Sequence, residues 1–277
     1  MKKIESSTLY LKENLTLFQC PVCKEAFQEV SGQGVTCSNN HRFDLGKKGT
    51  LHLLLKGGQN DYDKAMLSSR KSLADTGFFY PILDAIMNYL PKNATVLDVG
   101  CGEGSHLHYL TEQGLSGKKI GFDISKDAIQ LAAAHFFDDA FWCVADLAQS
   151  PFAEKQFDAI LNIFSPSHYQ EFNRVLKAEG RVYKVVPDSD YLIELRQRLY
   201  GERTYENDDV VARFQEIYPD CLHEHVRYEV PLTDDTFRWL VEMTPLTWGA
   251  TEADMVALMK NPLKTVTVAV SLLISQP

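Results

Sequence analysis

The sequence predicts an α/β protein with a mostly parallel, doubly wound sheet and a small metal-binding domain at its N-terminus. Two observations carry this prediction. From Asn93 onward strand-like segments alternate with helical stretches, and three cysteines cluster near the N-terminus. With 277 residues, 45% hydrophobic and 23% charged, the chain has the composition of a globular protein. We expect three parts, residues 1–56, 57–92 and 93–277.

The net charge of −9 is unevenly distributed along the chain. Residues 1–60 carry a charge of +3 and the remaining residues −12, so the two parts can meet different partners. Within residues 42–71, seven basic residues stand against three acidic ones. No stretch approaches the roughly 18 apolar residues of a membrane span, and the N-terminus lacks the apolar core of a signal peptide. We therefore expect a cytoplasmic protein without a membrane partner.

The cysteine cluster has the spacing of a zinc site. Cys20 and Cys23 are separated by two residues, and Cys37 and His41, further along, by three. Two pairs of ligands on two tight turns form a tetrahedral Cys₃His site, and four protein ligands leave no open position. The sequence therefore predicts a structural zinc in residues 1–56, which show no long helical pattern. Unrelated buried thiols are the alternative.

The basic flank of this domain suits nucleic acid. Lysine and arginine contact phosphates, and Phe27 and Phe43 could stack on bases. The alternative is a solvated charged face. The candidate RNA-binding residues are Arg42, Lys47, Lys48, Arg70 and Lys71.

Secondary structure follows in order along the chain. Residues 57–61 read as a linker, and residues 62–90 as two helices separated by an aromatic turn at 78–80. Strands of the parallel sheet follow, and two late segments look like an antiparallel closing pair. The predicted strands are Thr95–Gly100, Lys119–Asp123, Phe141–Ala145, Phe157–Ile163, Arg181–Val186, Val226–Val230 and Thr265–Ile274.

A glycine-rich loop follows the first of these strands. Glycines allow a sharp turn and a close approach of the backbone to a ligand, and a helix begins next. A dinucleotide site would have a glycine at position 105, where this chain has Ser105. An acidic residue before the first glycine is unfavourable for a pyrophosphate and suits a cationic cofactor. The candidate cofactor-binding residues of this loop are Asp98, Gly100, Gly102, Glu103 and Gly104.

Two further acids end the next two strands. Asp123 can accept hydrogen bonds from ribose hydroxyls, and Asp146 from an adenine amino group. Carboxyl ends of neighbouring parallel strands line the ligand crevice of an open α/β sheet. Each acid alone is more simply a helix cap or a surface residue. The three acids in register, Asp98 included, predict S-adenosylmethionine.

These residues resemble the class I S-adenosylmethionine-dependent methyltransferases, which have a Rossmann-like sheet. The resemblance covers roughly residues 93–186 and includes the segment Phe172-x-Arg174-Val-Leu-Lys-x-x-Gly180, where Gly180 keeps the turn before the fifth strand. Ala178 and Glu179 stand where that family usually has proline and glycine.

Nearly the whole chain resembles the bacterial 23S ribosomal RNA (guanine-N1)-methyltransferases. The shared features are the Cys₃His ribbon, the Gly-x-aromatic turn and the segment Met243-Thr-Pro245-Leu-Thr-Trp248. The resemblance implies methylation of a guanine in an RNA hairpin and leaves a homodimer open. It also implies that Phe79 packs on the cofactor and that Tyr191 stands where the family often has histidine.

The substrate side is less defined by the sequence. The fourth strand ends in Asn162-Ile-Phe164-Ser-Pro166, which half matches the signature of amino-group methyltransferases and favours a ring nitrogen as acceptor. Guanine N1 must lose a proton, so a base or a polarising contact is expected, with His168 the best-placed histidine. Alternatively, positioning alone carries the reaction. The catalytic candidates are Asn162, Phe164 and His168.

Two other functions remain open from the sequence. One is a methyltransferase of small molecules with a purely structural zinc ribbon. The other is a non-enzymatic module that binds RNA or protein and retains a vestigial cofactor fold.

Overall fold

The structure, a computed structural model, describes residues 1–55, 63–201 and 207–276. Among these residues, one compact unit comprises 1–55 and 90–183, and a second comprises the remainder. The linker predicted at 57–61 lies outside the described residues, and the division at residues 56 and 92 stays a prediction. In the described part of the chain, every helix is too short or too polar to cross a membrane.

Helices and strands alternate along most of the chain. The helices are α1 (Lys3–Asn14), α2 (Lys64–Ala74), α3 (Tyr80–Met87), α4 (Ser105–Glu112), α5 (Lys126–His135), α6 (Tyr169–Val175), α7 (Ile193–Tyr200), α8 (Asp208–Ile217), α9 (Asp234–Met243) and α10 (Glu252–Lys260). The strands are β1 (Phe27–Ser31), β2 (Gly34–Cys37), β3 (Arg42–Asp44), β4 (Leu51–His52), β5 (Val96–Val99), β6 (Lys119–Asp123), β7 (Phe141–Val144), β8 (Phe157–Ile163), β9 (Leu176–Pro187), β10 (Leu222–Pro231) and β11 (Thr265–Ile274).

Helix α1 corrects the expectation that residues 1–56 contain no long helix. The sequence hides it because its apolar side chains form no continuous stripe. Leu11 is fully buried, whereas Leu9 is half exposed. Lys3 Nζ donates to the carbonyl of Ala133, so tertiary contacts with the end of α5 help to place this polar helix.

The first unit contains the parallel sheet that the alternating pattern predicts. Its strands lie in the order β9–β8–β5–β6–β7–β4, and β5 pairs in parallel with both β8 and β6. The chain builds β6 and β7 on one side of β5 and then crosses to β8 on the other. This reversal places a crevice at the carboxyl ends of β5 and β8, where open α/β sheets bind ligands.

The fifth predicted strand begins earlier than expected. β9 starts at Leu176 rather than at Arg181, because Gly180 lies within the strand and not in a turn before it. A Cβ at Gly180 would lie 2.9 Å from the carbonyl oxygen of Phe157. This glycine therefore permits close packing of neighbouring backbone, which its sequence context does not reveal.

The second unit contains the closing pair and most of the later helices. β10 and β11 pair antiparallel from Leu222 opposite Ile274 to Pro231 opposite Thr265, which confirms the predicted arrangement. The end of β9 lies beside β11. Helices α2 and α9 pack together, and Ser69 Oγ donates to Glu242 at 2.6 Å.

Candidate active site and metal centre

The four predicted zinc ligands converge on one point. Cys20 Sγ and Cys37 Sγ each lie 3.5 Å from His41 Nδ1, and Cys23 Sγ lies 3.7 Å from Cys37 Sγ. Around a tetrahedral zinc, bond lengths place two sulfurs about 3.8 Å apart and sulfur and nitrogen about 3.5 Å apart. Burial raises the pKa of Cys23, but hydrogen bonds, first from the Glu25 backbone, lower it to about 6, whereas burial raises the pKa of Cys20 to about 11. The buried thiolates of this cluster therefore need a cation beside them. The donor set therefore fits zinc.

Two tight turns present these ligands. In the first, the backbone N–H of Lys24 donates to the Cys20 carbonyl and that of Cys20 donates to the Glu25 carbonyl, both at 2.8 Å. In the second, Cys37 N–H donates to the His41 carbonyl at 3.1 Å. The turns flank the small antiparallel sheet β1–β2–β3, so the ribbon has little core of its own and depends on its metal.

Backbone hydrogen bonds join the residues just before Cys20 to the chain that follows β7. Gln19 N–H donates to the Pro151 carbonyl at 2.8 Å, and Ala153 N–H donates to the Leu17 carbonyl at 3.0 Å. Asp146, the predicted adenine contact, lies just upstream of this stretch. The metal-bearing turn and the end of the cofactor crevice are thus parts of one compact unit.

The glycine-rich loop has a backbone that only glycine adopts easily. Gly100, Gly102 and Gly104 have φ of 69°, 56° and 88°, in the left-handed region. A Cβ at Gly100 would lie 2.8 Å from Ser165 Cβ, and one at Gly104 would lie 2.7 Å from Trp142 Cη2. The three glycines therefore form a tight turn that leads directly into helix α4, as a cofactor loop requires.

Acidic side chains surround this loop. Asp98 and Glu103 are almost fully buried, at 2% and 1% exposure. Each carboxylate oxygen of Asp123 accepts a backbone N–H, one of them from Gly102 at 3.0 Å. Burial raises the pKa of Cys101 well above its usual value, and the charges of Asp98 and Asp123 add to the shift. This negative environment suits a sulfonium cofactor, and the residues present fit S-adenosylmethionine.

Asp146 lies at the end of the next strand, as predicted. Its Oδ1 accepts from Ala148 N–H at 2.9 Å and caps the short 3₁₀ turn Leu147–Gln149. The simpler alternative, that Asp146 is a helix cap, therefore accounts for one of its two carboxylate oxygens. A role of the carboxylate toward adenine stays a prediction.

Phe79 and Tyr191, predicted to contact the cofactor, lie in the second unit. Phe79 is buried, and the guanidinium of Arg70 lies 5.7 Å from its ring centroid. Burial raises the pKa of Tyr191 to about 12, while the charge of Arg70 acts in the opposite direction. Arg70, expected to contact RNA, is thus close to both predicted cofactor residues, and its role in RNA binding stays a prediction.

The three catalytic candidates differ in their surroundings. Asn162 is fully buried, and its amide donates to Ser165. Phe164 is half-buried with φ of 54°, a left-handed conformation that is uncommon for a bulky residue. His168 caps helix α6, where its Nδ1 accepts from Glu171 N–H at 3.3 Å.

The predicted RNA-binding residues also differ. Arg42 and Lys71 each form an ion pair with a nearby aspartate, at 2.9 and 2.6 Å. Lys47 and Lys48 are exposed in the turn closed by the hydrogen bond from Gly46 N–H to the carbonyl of Thr50. Lys47 and Lys48 are therefore exposed candidates that lie next to each other in one turn.

Comparison with known proteins identifies the family. Residues 90–240 match a methyltransferase domain, and residues 18–55 match the zinc ribbon described as "RlmA, N-terminal". The chain is 42% identical to YxjB of Bacillus subtilis (strain 168), which is assigned to the 23S rRNA (guanine-N(1)-)-methyltransferases, over 94% of this chain and 97% of that protein. The chain belongs to this methyltransferase family.

A second family member is more distant. The 23S rRNA (guanine(748)-N(1))-methyltransferase of Streptomyces fradiae is 26% identical over 86% of this chain and 88% of that protein. The family confirms the predicted class I methyltransferase fold, S-adenosylmethionine as cofactor and a structural zinc in the ribbon. This guanine-N1 methyltransferase family thus accounts for both the zinc ribbon and the methyltransferase domain that the sequence pattern distinguishes.

Sequence reasoning missed two residues of the substrate-side loop. Ser165 and Ser167 both bond the side chain of Asn162, Ser165 as acceptor and Ser167 as donor. The signal was the short segment Asn162-Ile-Phe-Ser-Pro-Ser167, in which hydroxyl groups recur close to a buried amide. Its meaning depends on a loop conformation that the sequence does not specify.

Proposed function

We propose that this enzyme transfers a methyl group from S-adenosylmethionine to N1 of one guanine in a hairpin of 23S ribosomal RNA. The observation that carries the proposal is the occurrence of an acidic glycine loop and a Cys₃His cluster in one compact unit. The relatives that cover 94% and 86% of this chain are named for methylation of guanine N1 in 23S rRNA.

The chain's own residues divide the work of binding the cofactor. Asp98 and Asp123 would hold the cationic and ribose parts of the cofactor, and Asp146 the adenine. The bound cofactor supplies an electrophilic methyl group on sulfur. The protein orients the acceptor nitrogen for in-line displacement, and this orientation accounts for much of the rate increase.

The guanine is presented from unpaired RNA, because its N1 edge is occupied in a duplex. Phe164, at the carboxyl end of β8, stacks on the extruded base. His168 is a weak general base, because its Nδ1 already accepts a backbone N–H and its neutral ring then carries the proton on Nε2. Positioning is therefore the mechanism that we favour: N1 takes the methyl group as the carbon–sulfur bond breaks, S-adenosylhomocysteine leaves, and the N1 proton passes to solvent water.

The decisive experiment incubates the enzyme with labelled cofactor and unmodified 23S ribosomal RNA. Methylation at guanine N1 blocks base pairing, so reverse transcription should stop at one new position. Label in small metabolites but not in RNA would instead support the small-molecule alternative. Calorimetry that detects no cofactor binding would contradict both enzymatic functions.

An enzyme with this substrate works in the cytoplasm, and we place it there. The basic turn at Lys47 and Lys48 contributes the RNA backbone contact.

The homodimer suggested by the resemblance is tested by light scattering of the purified protein. Twice the chain mass would support it, and a single chain mass would contradict it.

A further inference from the structure

A chain of two hydrogen bonds joins the ends of β8 and β5 through the loop that follows β8. Asn162 Nδ2 donates to Ser165 Oγ at 2.6 Å, and Ser165 Oγ donates to the carbonyl of Val99 at 2.6 Å. Val99 ends β5 and directly precedes Gly100. The hydroxyl of Ser165 therefore connects the substrate-side loop to the strand that carries the cofactor loop.

The side-chain amide of Asn162 is committed to the loop that follows β8. Besides the Ser165 hydroxyl, Nδ2 donates to the carbonyls of Ser165 and Pro166 at 3.1 and 3.0 Å, and Oδ1 accepts from Ser167 Oγ at 2.7 Å. A side-chain amide has only two N–H donors, and both point into the loop. Since Asn162 is also fully buried, its amide group cannot donate to the O6 atom of a guanine.

Between these anchors the chain places Phe164 in a left-handed conformation, with φ of 54°. A bulky residue keeps such a conformation only where its surroundings impose it, and such residues concentrate at functional sites. The contact with the cofactor loop is close, since a Cβ at Gly100 would lie 2.8 Å from Ser165 Cβ. The loop therefore has little freedom to shift relative to β5.

We propose that Ser165 is a positioning residue for methyl transfer, which holds Phe164 at a fixed distance from the cofactor loop through its hydrogen bonds with Asn162 and Val99. Phe164 then presents the flat guanine ring with N1 in line with the methyl group. The inference rests on the proposed function, because the base that Phe164 contacts is the guanine of that function.

A double-mutant cycle on kcat tests this assignment. We expect Ser165→Ala to lower kcat about tenfold, because a shift of about 1 Å in a reacting group can cost up to about a hundredfold. Its KM for RNA and its affinity for S-adenosylmethionine should stay within about twofold, because the glycine loop is intact. Ser165→Ala combined with Phe164→Ala should be no slower than Phe164→Ala alone, because the serine acts through the phenylalanine.

The matched control is Ser116→Ala, which removes an exposed serine hydroxyl that donates to the Lys92 carbonyl in a loop outside the site. It should leave kcat unchanged. Ser167→Ala weakens the Asn162 anchor from the other side and should repeat the non-additive pattern if Ser165→Ala folds poorly. Thermal unfolding and cofactor calorimetry report folding for every variant.

The outcomes separate the two proposals. If the losses of kcat in Ser165→Ala and Phe164→Ala multiply in the double variant, the positioning role is wrong while the methyltransferase activity stands. An unchanged kcat in Ser165→Ala would overturn the positioning role in the same way. A wild-type enzyme that does not methylate the RNA would overturn the proposed function and the positioning role with it.

Discussion

The zinc ribbon and the cofactor loop hold their ligands by different means. The ribbon brings four side chains together from one short segment, Cys20 to His41, and their sulfur and nitrogen atoms define the site. The cofactor loop relies on backbone conformation, and its acids come from separate strands that only the sheet brings into register. The metal therefore stabilises its own surroundings, whereas the cofactor site depends on a core that folds without the ligand.

This difference predicts that the two regions fail differently. Loss of zinc removes most of the free energy that orders the ribbon, because its small sheet buries few side chains. Loss of the cofactor leaves its loop held by buried neighbours such as Trp142, which is 1% exposed. Variants in each region should therefore separate folding of the ribbon from binding of the cofactor.

The largest effect is expected for Cys37→Ser. Structural zinc contributes about 10 kcal/mol or more in small zinc domains, so the variant should lose its zinc and the ribbon its order. Zinc content by metal analysis and hydrogen exchange of residues 18–55 measure this. Cys221→Ser, outside the cluster, is the matched control and should keep one zinc per chain. A wild-type protein that purifies without zinc and tolerates chelators would contradict the assignment.

A smaller effect, confined to the other region, is expected for Gly104→Ala. The residue has φ of 88°, and the new Cβ would lie 2.7 Å from Trp142. We expect a loss of about 2 to 4 kcal/mol, from the left-handed conformation and from overpacking, with weaker cofactor binding but an unchanged zinc content. Thermal unfolding and calorimetry measure both.

Gly114→Ala provides the control for this prediction. Gly114 also has a positive φ, of 100°, but the nearest atom to its Cβ would be the flexible end of Lys92 at 3.6 Å. It should destabilise the fold by about 1 to 2 kcal/mol, from backbone strain alone, and spare cofactor affinity. Equal losses of cofactor affinity in the two variants would show that the loop does not form the binding site.

The same contrast explains what the sequence could predict. All four zinc ligands are predictable because their spacing is local. The positions of Asp98, Asp123 and Asp146 are predictable because strand ends share one edge of a parallel sheet, and their contacts with the cofactor stay a prediction. The ion pair of Arg42 was missed, because it depends on a side-chain conformation that no periodicity records.

Backbone placement limits the prediction in the same way. Helix α1 was missed because tertiary contacts, rather than an apolar stripe, hold it. The strand predicted from Arg181 was too short, because a glycine such as Gly180 is as typical of a turn as of a close approach between backbones. The role of Ser165 needed both loops in place before its hydroxyl could be seen to join them.

The smallest effect concerns the outer face of the ribbon and tests whether it does more than hold zinc. Lys47→Glu with Lys48→Glu should weaken RNA binding about tenfold at low salt. The salt dependence should also become shallower by about 1.5 in the slope of log K against log salt concentration, since two phosphate contacts are lost. Lys92→Glu with Lys118→Glu makes the same change in net charge at other exposed lysines of the first unit. If both pairs weaken binding equally, the RNA responds to the overall charge, and the ribbon serves only as a zinc-stabilised support; a selective loss at Lys47 and Lys48 makes it a recognition element.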